Sequence, residues 1–264
     1  VSRGIIATAT DLAYSNNGII SESERTTSSD EDALGSDETN DEVSISAALQ
    51  AHYAFDEETE AIAHDSSGNG NDGAIEGATP IKGKSDGALR FNGIDDAVSV
   101  PCMKSDEISI SAWFSKETDD TTSEGAILGG WRRHSNRSLH EGFELRFHQN
   151  TPDRLDFILV TKKGSGKNTR RTATYSLSDA GDTWHHAAGT YNKTNGEQKL
   201  YVDGLLVNTK YHPHGNTIVP LTYYPDMRIG YSRIDNRYFK GTIDDVRLYN
   251  RALSEEEVQD LYNH

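Results

Sequence analysis

A single cysteine, Cys102, stands in a chain of 264 residues. It excludes an intramolecular disulfide framework and any multi-cysteine metal site. Long apolar runs are missing too: none reaches the length of a membrane-spanning helix, and no signal peptide is visible. Basic residues are scarce, 26 Lys and Arg against 42 Asp and Glu, for a net charge of −16. That balance argues against general nucleic-acid binding and against attraction to an anionic membrane surface. Hydrophobic residues make up 34%, low for a globular domain. The chain starts at Val1 rather than Met, which points to a portion of a larger, multidomain protein.

What is present divides at about residue 46. Glu22 to Glu42 holds nine acidic residues against one basic, Arg25, among Ser, Thr, Asn and Gly. Such a segment buries too little apolar surface to offset its ordering entropy, so residues 1–46 read as an acidic, disordered tail or linker. A calcium-collecting tract is the rival reading, and Ile5-Ile6 with Ile19-Ile20 offer a short edge strand that nothing demands.

From Ala47 to His264 the pattern is β throughout. Apolar and β-branched runs are expected as strands at Leu49–Phe55, Ala88–Asn92, Ala97–Val100, Ile108–Phe114, Ala126–Leu128, Phe143–Phe147, Leu155–Val160, Thr172–Tyr175, Met227–Ile229 and Thr242–Tyr249. Gly, Asn, Asp and Pro separate them at the spacing of a sandwich or jelly roll. Two consecutive hairpins stand out between Trp184 and Val207. One turns at Asn195-Gly196 and the next at Asp203-Gly204, dipeptides that tolerate positive φ. Alternation of Leu200 and Val202 with Lys199 and Tyr201 predicts one buried and one wet face, which needs a second sheet for cover. One helix is expected near the C-terminus, capped by Ser254, with Glu255–Glu257 at its positive end and Val258 and Leu261 inward.

Three stretches carry more than fold class: FDEETEAIAHDSSGNGNDGAIEG (55–77) with GALRFNGIDDAVSVP (87–101), WHHAAGTYNKTNGEQKLYVDG (184–204) and FKGTIDDVRLYNRALSEEEVQDLY (239–262). In this order they resemble the laminin-G-like, concanavalin A-like domains of bacterial extracellular proteins, over roughly Leu49 to Tyr262. The resemblance implies an all-β, two-sheet antiparallel jelly-roll sandwich with one short C-terminal helix. It also implies a secreted or cell-surface binding or adhesion module, lectin-like, with a structural calcium where the first and last strands meet.

The residues give that calcium physical content of their own. Asp65 to Gly73 is rich in oxygen donors and in glycines that turn carbonyls inward, and calcium takes 6 to 8 oxygens. Asp244 is expected on the same face of the last strand as Val246 and Leu248, pointing at the core, where a carboxylate needs a partner. By the resemblance, the ligands are Asp56, Asn71, Gly73 (through its carbonyl) and Asp244, with Asp65 and Asn69 behind them. The bland alternative is a loop of Asx turns satisfied by its own amides. His185 and His186 are adjacent on a strand and point to opposite faces, so they are expected as packing residues beside Trp184, not as a metal pair.

Against the acidic background three basic loops remain: Trp131–Arg137, Lys162–Arg171 and Tyr231–Tyr238. Arg132, Arg133, Arg137, Arg233 and Arg237 present planar forks for carboxylate or sulfate oxygens, and Trp131 or Tyr238 a face for a sugar ring. The expected partner is a glycan or polysaccharide, in the sharper version acidic or sulfated. Solvated loops making weak surface ion pairs are the alternative. Residues 47–264 hold 24 basic and 32 acidic residues, about −8 overall, which repels nucleic-acid phosphate. No Glu-x-Asp-x-x-Glu run of the carboxylate-pair hydrolases is found. Glu144, Arg146 and His148 share a strand face, Tyr238 could supply a phenol, and a polysaccharide lyase acting through His148 or Tyr238 is the rival. A structural or protein-binding spacer of a large adhesin is the third reading.

Overall fold

A computed structural model describes residues 45–57, 61–117, 125–133, 140–148, 151–178, 181–222, 226–233 and 236–264. The acidic segment and the suggested edge strand before it fall outside these residues. After a helical turn at 45–48 come β1 (Leu49–Tyr53), β2 (Ile62–Ala63), β3 (Gly73–Glu76), β4 (Thr79–Lys82), β5 (Gly87–Asn92), β6 (Ala97–Pro101) and β7 (Ile108–Lys116). The middle supplies β8 (Ala126–Arg133), β9 (His140–His148), β10 (Thr151–Lys162), β11 (Thr169–Ser176), β12 (Trp184–Asn192), β13 (Glu197–Val202) and β14 (Leu205–Tyr211). Last come β15 (Thr217–Ile218), β16 (Asp226–Ile229), β17 (Tyr231–Ser232), β18 (Arg237–Tyr238), β19 (Lys240–Tyr249) and the helix α1 (Glu255–Asn263).

Two antiparallel sheets result. The eight-stranded sheet runs β14-β13-β12-β7-β19-β5-β4, with β1 also paired to β19. The nine-stranded sheet runs β11-β10-β9-β8-β16-β6-β3-β2, with β15 on β10. This is the expected jelly-roll sandwich. Alternation sets its core: Ile108, Ile110, Ala112 and Phe114 of β7 face Phe143, Leu145 and Phe147 of β9 in one buried cluster. Phe114 meets Phe147 edge-on at 5.5 Å, and each such ring contributes about 1.5–3 kcal/mol on burial.

The β13–β14 turn is Asp203-Gly204, both at positive φ (50° and 75°), the geometry whose twist suits a two-residue hairpin. Asp203 does more than turn: its carboxylate accepts from His186 N (2.9 Å) and meets His185 Nδ1 at 2.8 Å on β12. Ser254 caps α1 with a capping box to Glu257, and Val258 and Leu261 are buried. One expectation is corrected. Tyr201, assigned to the wet face of β13, is 1% exposed, because α1 packs there with Ala188, Tyr249 and Leu253. The helix roofs what alternation alone labels as solvent side.

Candidate functional site

Six non-glycine residues sit at positive φ among the described residues, and three of them, Phe55 (57°), Asp86 (52°) and Asp245 (48°), border one spot. Such backbone costs on the order of 1–3 kcal/mol per residue and persists where the surroundings impose it. The spot is the loop 83–87 between β4 and β5. Gly87 N donates to Asp56 Oδ1 (2.9 Å), and Lys84 N and Ser85 N donate to Asp244 Oδ2 (2.8 and 3.2 Å). The loop therefore joins the acidic residue after β1 to the one in β19. Gly83 is required: a Cβ there would collide with the Gly87 carbonyl oxygen and come within 2.6 Å of Asp244 Oδ2.

Asp244 is 1% exposed, but it does not share the face of Val246 and Leu248 as the sequence suggests. A bulge between Asp244 and Arg247 adds a residue, so Ile243 and Val246 both face the core while Asp244 pairs with Trp113 on the other face. Lys84 Nζ lies 4.5 Å over that Trp113 ring. Burial pushes the Asp244 carboxyl up to about 6, against the opposing pull of the Ser85 and Lys84 amides. Asp245 is also subject to burial, yet His52 Nε2 (2.5 Å) and Arg247 Nε (3.0 Å) hold it below the usual carboxylate range.

The oxygen donors here, Asp56, Asp244 and the crowded Gly87 carbonyl, suit a hard cation. Among the described residues no three His, Cys, Asp or Glu side chains gather as a metal cluster. A cation would have to recruit backbone carbonyls as well.

Asn71 and Gly73, expected beside these two, have other partners. The Asp65 carboxylate accepts from His52 N (2.9 Å), Ser67 N (3.0 Å) and Asn71 N (2.9 Å). Burial works against its charge, but these amides and the Ser67 hydroxyl outweigh it and lower the Asp65 carboxyl. Asn71 donates to Gln50 O (2.8 Å), its carbonyl accepts from Tyr53 (2.6 Å), and Asn69 reaches Leu49 O (2.9 Å). Gly73 opens β3 in the nine-stranded sheet. The Asp65–Asp72 loop is thus pinned to β1 by its own hydrogen bonds.

A second site lies on the outer face of the nine-stranded sheet. Trp131, expected to offer a face to sugar, is 4% exposed over Ile158, Val160 and Val219. His140 stacks on it at 5.7 Å, and the guanidinium groups of Arg146 and Arg170 lie 5.1 and 5.2 Å from its ring. Its indole N–H is buried without a hydrogen-bond partner among the described residues. Arg146 adjoins Glu144 (3.8 Å), which accepts from Ser232 Oγ (3.0 Å). Ser232 belongs to β17, which pairs with β18, where the half-buried Tyr231 and Tyr238 stack at 4.4 Å. Arg237 is next to Tyr238 on β18, and Arg233 is bound to Asp226, which also holds Arg228 (2.8 Å). Arg228 in turn reaches Glu76 at 2.7 Å.

The structure brings Trp131 and Arg233 to this face, with Trp131 as floor rather than platform, while Tyr238 stacks on Tyr231 in the β17–β18 ribbon and Arg237 stands across from Ser232. Arg137 and the side chains of Arg132 and Arg133 lie outside the described residues. Arg146 and Arg170, not among the expected ligand residues, are the cations the face places over the indole. The β9 alternation signals Arg146. Asp226 and Arg228 sit two apart on β16, but nothing local signals that Glu76 of β3 joins them.

The two adjacent histidines behave as packing residues. His185 lies against Phe114 (5.9 Å) and His186 against Trp113 (5.4 Å), on opposite faces of β12. Burial lowers His186 to about 4. A third histidine, His212, stands where the sequence carries no local signal. It meets Thr161 Oγ1 and Gln198 Oε1, each at 2.8 Å, and burial lowers it likewise to about 4, with Arg171 adding to the effect.

Comparison with known proteins agrees with this architecture. Domain 4 of AbnA, a GH43 extracellular arabinanase from Geobacillus stearothermophilus solved with arabinotriose, is 23% identical. It aligns over 81% of this chain and 98% of its own, with a TM-score of 0.54. The binding domain of botulinum neurotoxin serotype D (14%, 0.62) and the same domain with N-acetylneuraminic acid (15%, 0.61) each align over 84% of this chain. The chain spans about half the length of those toxin domains, 52% in both cases. At these identities the likeness is one of fold. No curated protein sequence matches significantly. The Laminin_G_3 profile matches residues 91–259, more than half of the sequence, and the chain belongs to that family, of the concanavalin A-like lectin/glucanases superfamily.

Proposed function

We propose that this domain is a non-catalytic, extracellular carbohydrate-binding module that takes acidic or sulfated glycan on the outer face of its nine-stranded sheet. The observation that carries the reading is the stacked Tyr231–Tyr238 pair beside Arg237, linked through Ser232 and Glu144 to Arg146, Arg170 and Trp131. Aromatic faces suit sugar rings, and arginine forks suit carboxylate or sulfate. That fold neighbours were solved with arabinotriose and with N-acetylneuraminic acid, one neutral and one anionic, is consistent with glycan as the ligand class. A structural calcium at Asp56, Asp244 and the 83–87 loop completes the reading, supported by the strained backbone and oxygen donors there.

A glycan array in low and raised salt, with and without chelator, tests it. Retention of acidic glycans that falls steeply with salt is expected, and Tyr238→Ala should weaken it about tenfold. A salt-insensitive neutral sugar would overturn the anionic version, and no retention at all would leave a structural or protein-binding spacer. The lyase keeps one observation in its favour, since β9 does set Glu144 and Arg146 on the outer face. Rising ultraviolet absorbance from unsaturated products on a uronate polymer would establish it instead.

A further inference from the structure

A cavity of about 410 Å³ opens where the segment after β6 meets the segment after β15, with Val219, which packs under Trp131, in its wall. Its walls include Met103, Ile108, Phe143, Leu221 and Met227, and the thiol of Cys102. The chain has one cysteine and two methionines, and all three residues line this space, as they do the smaller, more polar hollow beside Tyr53 and Asn71. Thioether walls are polarizable and adapt to an apolar guest. The volume is that of a small-molecule site, with room for roughly a dozen non-hydrogen atoms.

Polar groups stand at the mouth. Asp106 is already paired with Lys193 Nζ (2.7 Å), and Glu107 accepts from Lys193 N (3.0 Å). Lys104, exposed on the rim, makes no hydrogen bond or ion pair among the described residues. Asp106 being neutralised, the charge left to meet a guest is positive, on a chain that is otherwise strongly acidic.

We propose that this cavity binds a small amphipathic carboxylate, an aliphatic or aryl body with one anionic head. The body lies among Met103, Met227, Ile108, Phe143 and Leu221, and the head meets Lys104. A cationic guest would be repelled by the Lys104 ammonium at the rim, and a neutral one would gain no charge pairing from it.

Cys102 is the reporter, as the only thiol to be alkylated. Iodoacetamide modification, followed by intact mass, is run with decanoate below its micelle concentration, with decanol and with decyltrimethylammonium. Decanoate should slow alkylation about tenfold, the alcohol and the cation much less. Lys104→Glu, at an exposed position, should abolish the protection, as should Leu221→Trp, which fills the space. Circular dichroism confirms that each variant is folded; should Leu221→Trp not fold, Lys104→Glu decides alone. No slowing by decanoate, equal slowing by decanol, or full protection in Lys104→Glu would overturn the proposal.

Discussion

Replacing Asp244 by asparagine separates the burden of a buried charge from the benefit of a cation. The carboxyl is 1% exposed and raised from 3.8 to about 6 by burial, so folding favours its neutral form. A raised carboxyl contributes stability below pH 3.8 and loses it as pH rises through 6. Roughly two pKa units correspond to about 3 kcal/mol against the ionised protein. Asparagine keeps an oxygen for the Lys84 and Ser85 amides and drops the charge. In chelator, Asp244→Asn should therefore be more stable than wild type by about 3 kcal/mol at pH 8 and only about 1 kcal/mol at pH 4.5. Calcium should reverse the order at pH 8, since wild type gains about 4.1 kcal/mol at a thousand times the dissociation constant and the variant far less. Urea unfolding followed by tryptophan fluorescence measures both. A variant less stable than wild type in chelator at pH 8, or stabilised equally by calcium, would refute the reasoning.

His186 and His212, both lowered to about 4 from 6.5, give the opposite slope: their stability is full above pH 6.5 and is lost as pH falls toward 4. At pH 5 each should remove about 2 kcal/mol relative to pH 8, and His212→Gln should flatten the urea-midpoint profile by its share. Ser254→Ala removes the hydroxyl that accepts from Glu257 N, and should lower stability by about 1 kcal/mol, read in a thermal melt.

Where side-chain period and turn chemistry agree, the sequence was legible. The Asp203-Gly204 hairpin, the Ser254 cap and the strands β5 to β10 all follow from local rules. Strands of two residues, such as β2, β15 and β17, carry no periodic signal and exist because a longer neighbour offers hydrogen bonds. The candidate sites were legible in their residue types more than in their geometry. Asp56 and Asp244 do converge on one loop, but through the 83–87 segment rather than through Asn71, whose polar groups Asp65 and β1 use, or Gly73, which pairs with Ala63 of β2. The bulge at Asp244–Asp245 reverses a face that a strict two-residue period assigns. Trp131 looked exposed because its neighbours in sequence are arginines; in space its ring is covered by His140, Arg146 and Arg170.

The pairing of β1 with β19 has a mechanical consequence. Its rungs run from Leu49–Tyr249 to Tyr53–Val246, so the chain enters and leaves the pair at the same end. A tensile load applied through the two flanks would, once α1 has peeled away, part those hydrogen bonds one after another, as a zip opens, instead of shearing them together. The tear would travel straight toward Asp56 and Asp244, which stand just past the final rung. An ion seated between them would act as the stop at the bottom of the zip, turning a weak seam into a rupture-resistant one.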